Sequence, residues 1–132
     1  MLIGVDAGTS VVKAVAFSED GEVLRVAARP TRTLTPAPGY TEQDPEETIA
    51  AVGATVREVA AGEAPEAVGV TAQGDGLWLV DAEGRAVRPA ILWSDARAAA
   101  IVEAWIGGGV AERAFRRSGN TLFPGAAAPL LA

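Results

Sequence analysis

The chain has 132 residues, of which 49% are hydrophobic and 21% charged, and it carries a net charge of −6 with neither cysteine nor histidine. That length and balance suit about one globular domain with a working core and argue against disorder. The negative charge argues against a nucleic-acid backbone or an anionic membrane as main partner, because Arg113, Arg116 and Arg117 form the only basic cluster. Without cysteine and histidine there are no disulfides, thiolate nucleophiles or imidazole bases, so any chemistry rests on carboxylates, hydroxyls, backbone groups and a hard cation.

The N-terminus "MLIGVDAGTS" meets Asp6 too early for the apolar region of a signal peptide. No apolar run approaches the ~18 residues of a membrane span, and a cytoplasmic location is expected. "LIGVD", "VVKAVAF" and "EVLRVAARPTRT" are strand-like runs separated by "AGTS" and "SEDG", predicting an antiparallel three-stranded meander. Prolines and a glycine interrupt it over 34–44. Asp44 then stands before Pro45 with Glu47 three positions on, predicting an N-cap, a proline at the first helical position and a capping-box partner. The helix should run from about Pro45 to Ala61, bury Ile49, Val52, Val56 and Val59, and stop at Gly62.

"AVGVTA" at 67–72 reads as a buried strand, and "LWLVD" at 77–81 turns through "AEG" to a strand near "AVRPAIL". Ser94 or Asp95 should cap a helix running through Trp105, and a further helix should close at Gly119. Trp78 and Trp105 follow strand and helix periodicity and are assigned to packing. A meander, a crossover helix and further strands define an α/β layer with a mixed sheet.

The turn between the first two strands holds the first chemical signal. A short loop of glycine and hydroxyls aims backbone N–H groups and the Thr9 and Ser10 hydroxyls at one anion. Gly8 lets a backbone approach, and Asp6, at the end of a strand expected in the sheet centre, is placed to reach Mg²⁺ through its waters. These are also ordinary turn residues, so the turn by itself leaves a structural role open.

"GVDAGTSVVKAVAFSEDGEV" resembles the first phosphate-binding hairpin of the FGGY carbohydrate kinases, within the wider group of sugar kinases, actin and Hsp70 ATPases. "GYTEQDPEE" at 39–47, the long block at 68–98 and "SGNTLFPGAAAPLLA" at 118–132 are similar to xylulokinase-like members in order and spacing, so the resemblance covers essentially the whole chain. It implies an actin-like, ribonuclease H-like ATPase fold with a mixed sheet, and ATP and Mg²⁺ as cofactors. Asp6, Gly8, Thr9, Ser10 and Lys13 would serve the nucleotide phosphates, with Asp6 toward the metal.

For the substrate, the resemblance implies that Gln73, Gly74 and Asp75 reach sugar or polyol hydroxyls and that Trp93 lies against the carbon skeleton, with Asp95 nearby. Asp95 and Arg97 are equally well explained as a helix cap and a solvent-side ion pair, and "QGDG" is also a good hairpin turn. Glycerol kinases carry Arg-Glu and xylulokinases Met-His where this chain has Gly74 and Asp75, and the loop resembles that of tetritol kinases. A xylulose-like ketopentose is therefore the first substrate expectation and a polyol the alternative. Asn120 and "FPG" at 123–125 resemble the segment that closes the sugar site.

In the family the catalytic aspartate and the adenosine motifs lie further along, so residues 1–132 are expected to be the front part of the N-terminal domain, without a catalytic base and without turnover alone. Two readings of another class compete: a non-catalytic sugar- and nucleotide-binding relic, and an actin- or Hsp70-like ATPase module. The second offers no reason for "QGDG" and "AILWSDAR" where they stand.

Overall fold

A computed structural model describes residues 1–132. The residues group into two compact units, one formed by Met1–Thr33 with Asp44–Gln73 and the other by Leu34–Gln43 with Gly74–Ala132.

In the first unit the meander forms as predicted: β1 (Leu2–Ala7), β2 (Val11–Phe17) and β3 (Val23–Pro30) pair antiparallel in sequence. After α1 (Pro45–Ala60), β6 (Ala67–Ala72) joins the far side of β1 in parallel, giving the mixed order β3-β2-β1-β6. The two-residue period of a strand divides β1 and β2 between two faces. Ile3, Val5, Val12, Ala14 and Ala16 point to the helix side and form the core with Ala27 and Val59. Three alanines in that set leave room for α1 to lie close on the sheet. Leu2, Gly4 and Asp6 fall on the opposite face with Val11, Lys13 and Val15.

Asp44 caps α1 by accepting from the Glu46 N–H at 2.9 Å. Glu47 does not complete a capping box; its carboxylate accepts from the Arg32 guanidinium at 3.1 Å. Ala61 ends the helix in the left-handed region at φ 52°, its N–H donating to the Arg57 carbonyl, and Gly62 follows at φ 86°. The buried stripe differs from the predicted one. Val59 is buried at 1% exposure and Val52 and Val56 pack partly, but Ile49 is 67% exposed. Thr48 and Thr55 take buried positions instead, because each hydroxyl donates to a carbonyl within its own helix and arrives already satisfied.

The strand β6 also corrects its expectation. It is exposed along its whole length, with Val70 at 65%. The helix packs mainly on β2, β3 and β1, and β6 is the edge of the sheet in this chain.

In the second unit β5 (Glu42–Gln43), β8 (Ala90–Leu92) and β7 (Gly76–Leu77) form a small sheet with β4 (Thr33–Leu34) in the order β4-β5-β8-β7. The predicted hairpin forms around Asp81, which accepts from the N–H groups of Glu83 and Arg85, while its strands shrink to β7, β8 and a single Val80–Ala86 bridge. The helices α2 (Ala99–Gly107), α3 (Val110–Ser118) and α4 (Ala127–Leu130) follow, and α3 closes at Gly119 as predicted. Neither Ser94 nor Asp95 caps α2, which begins after Ala98 with no side-chain cap. No helix is long and apolar enough to cross a membrane.

Candidate functional site

The five residues expected to serve phosphates gather on one hairpin of the first unit. Asp6 and Lys13 are direct cross-strand partners in the β1–β2 ladder. Both are exposed, and they line an open depression of about 450 Å³ on the uncovered sheet face, with Gly4, Val15, Phe17 and Thr71. Asp6 thus sits on the central strand, as the sequence suggests, but on the face away from the core. Its charge is solvated, so it carries no burial cost.

The loop 8–10 is held from two directions. The Gly8 N–H donates to the Val11 carbonyl at 3.1 Å, and a Cβ built on Gly8 would stand 2.8 Å from that same oxygen, so the close approach demands glycine. Thr31, just beyond β3, donates its hydroxyl to the Thr9 carbonyl at 2.6 Å and its N–H to the Ser10 carbonyl at 3.0 Å. With the loop's carbonyls engaged by Thr31, the exposed Ser10 hydroxyl is left facing solvent. Sequence reasoning missed Thr31, which stands far from the motif and carries no signature of its own. No group of three or more acidic side chains is arranged so that it could hold a metal ion. A cation at Asp6 would thus rest on one carboxylate plus water and ligand oxygens, a donor set that fits Mg²⁺.

The expected substrate residues divide. Half-buried Gln73 closes the first unit, while Gly74 and Asp75 are exposed at the start of the return into the second. Trp93 and Asp95 lie together in the turn after β8, where Trp93 is 50% exposed and Asp95 only 2%.

Asp95 is occupied by the protein itself. Oδ2 accepts from the Thr41 N–H at 2.6 Å and from Arg97 Nη2 at 2.8 Å, and Oδ1 accepts from the Arg97 N–H at 2.8 Å and Nε at 2.9 Å. Burial pushes its carboxyl up, but the hydrogen bonds from Arg97 and Thr41 outweigh burial and hold it below the usual carboxylate range. The same Arg97 guanidinium, raised above its ordinary value first by its hydrogen bonds to Asp95, donates to buried Glu42 at 2.7 Å and lies 4.1 Å over the Tyr40 ring. Arg88 reaches Glu42 at 2.7 Å as well. Asp95 is therefore an internal strut. Its ion pair with Arg97 is enclosed instead of solvent-side.

Gly125 is buried against Trp93: a Cβ built on it would fall inside the van der Waals envelope of the Trp93 carbonyl. Asn120 is exposed.

A mixed sheet with a polar, glycine-constrained hairpin at the end of an inner strand defines the class as an α/β module. The family described as "FGGY family of carbohydrate kinases, N-terminal domain" matches residues 1–132. Over 99% of its length the chain is 34% identical to the xylulose kinase of Escherichia coli, covering 27% of that protein. It is 36% identical to the erythritol kinase of Brucella abortus over 92% of its length, covering 24% of that protein. The xylulose kinase structure from Rhodospirillum rubrum superposes with a TM-score of 0.85 at 31% identity, over 93% of this chain and 26% of that one. The chain belongs to the FGGY family of carbohydrate kinases and has their actin-like ATPase fold. It spans about a quarter of the length of these relatives.

Proposed function

We propose that the gene product carrying this chain phosphorylates a hydroxyl of a ketopentose resembling xylulose, using Mg²⁺-ATP. The observation that carries this is the β1–β2 hairpin: a loop made rigid by Gly8 and Thr31, with Asp6 and Lys13 side by side on an open face. In this reading the Gly8–Ser10 segment and Lys13 receive the nucleotide phosphates, and Asp6 holds Mg²⁺ through water. The metal, when bound, neutralises charge on the transferring phosphoryl group. Asp75 accepts hydrogen bonds from substrate hydroxyls beside Gln73 and Gly74, and Trp93 supplies an apolar wall that makes those contacts directional.

A polyol is the second reading, favoured by the Gly74–Asp75 pair and by the identity to an erythritol kinase. Sugar phosphate formation across a panel of ketopentoses, tetritols and glycerol separates the two. Asp75→Ala should weaken substrate use by the equivalent of one or two charged hydrogen bonds, about 1.5 to 3 kcal/mol each, with ATP affinity within a few fold. Equal damage to both ligands would make the loop structural.

A further inference from the structure

We propose that Arg97 and Gly125 are positioning residues for Trp93, an inference that rests on the reading of Trp93 as the substrate's apolar wall. Trp93 is a half-exposed indole in the turn after β8. The fold constrains the backbone that carries the ring from two sides. On one side, the backbone of 39–42 is laced to the turn: Leu92 N–H donates to the Thr41 carbonyl at 2.9 Å, Ala96 N–H to the Gly39 carbonyl at 2.8 Å, and Thr41 N–H to Asp95.

Arg97 makes that lacing a single body. Its planar fork grips both Asp95 oxygens while one arm continues to Glu42 and its face covers Tyr40. Lysine has one compact donor group and cannot reproduce this geometry. On the other side Gly125 packs its backbone against the Trp93 carbonyl, where any side chain would displace it. An aromatic platform fixed before the ligand arrives loses little freedom on binding, which strengthens binding without touching the chemical step. Arg97 and Gly125 should therefore govern substrate affinity and leave turnover nearly alone.

Two measurements test this. Labelled with fluorotryptophan, the 132-residue chain gives Trp93 its own fluorine NMR line, assigned by its loss in Trp93→Phe. A single narrow line away from the free-indole position is expected, shifted or broadened in Arg97→Lys and Gly125→Ala while the Trp78 and Trp105 lines hold. A line already at the free-indole position in the unsubstituted chain overturns the proposal without any variant. In the gene product that carries this chain, Arg97→Lys should raise the KM for sugar or polyol about fivefold, with kcat within about twofold and the KM for ATP unchanged.

A folded Arg97→Lys protein with an unmoved Trp93 line and an unmoved KM also overturns it. If Arg97→Lys does not fold, Tyr40→Leu, which removes the ring under the Arg97 guanidinium, is read in the same two ways with the same decision. Trp93→Leu separates the two claims. An unchanged substrate KM there sinks the wall itself, whereas a raised KM there with no response to Arg97→Lys sinks only the positioning role.

Discussion

Arg97 holds both carboxylate oxygens of Asp95, two residues away, through its N–H, Nε and Nη2 at 2.8, 2.9 and 2.8 Å, and Asp95 is 2% exposed. Two opposite charges this enclosed are tolerated because their hydrogen-bonding capacity is almost filled, and removing one strands the other.

Asp95→Asn should therefore destabilise the chain by about 3 kcal/mol near neutral pH, since Arg97 would be left with only Glu42, which Arg88 shares, as counter-charge. The pH dependence has a fixed sign. Asp95 lies below its ordinary value of 3.8, so its contribution is fully present above about pH 4 and is lost as pH falls through the folded value. Denaturant unfolding at several pH values should show the gap between wild type and Asp95→Asn narrowing only in that acid window; a constant gap would contradict the role of the charge.

Asp6→Asn should leave the thermal midpoint nearly unchanged, because the carboxylate is exposed and makes no ion pair with Lys13. In the gene product that carries this chain, turnover should fall at least tenfold, about 1.4 kcal/mol in transition-state stabilisation. Steady-state kinetics beside a melting curve checks both halves, and a stable variant with normal turnover would remove Asp6 from the phosphate site.

Thr31→Val keeps the shape of the side chain and deletes the donor to the Thr9 carbonyl. The expected cost is about 1 kcal/mol of stability, with the KM for ATP raised several fold and that for the sugar unaffected. A change confined to stability would reduce Thr31 to a structural brace.

Helix α1 supplies a control on packing. Val59→Ala should cost about 2 kcal/mol, because Val59 is 1% exposed and belongs to the buried core cluster, whereas Ile49→Ala should stay within about 0.5 kcal/mol. Comparable losses in urea unfolding would return Ile49 to the buried stripe.

Much of this protein was decided locally and could be read from the chain alone. Alternating residues and short glycine-bearing turns specify the β1–β2–β3 meander, Asp44-Pro45 begins α1, Gly119 ends α3, and "GVDAGTS" marks the tight β1–β2 turn, because each depends on neighbours a few positions apart. What the tertiary structure decided was which surfaces find a partner. Ile49 has the right period but lies where α1 meets no sheet, and β6 is apolar yet is the edge of the sheet in this chain. Asp95 has the sequence of a helix cap, but Thr41, more than fifty positions away, and Arg97 reach its oxygens first. Thr31 under the hairpin and Gly125 behind Trp93 carry no local signature, because each matters only through a backbone carbonyl that folding brings within van der Waals or hydrogen-bonding distance.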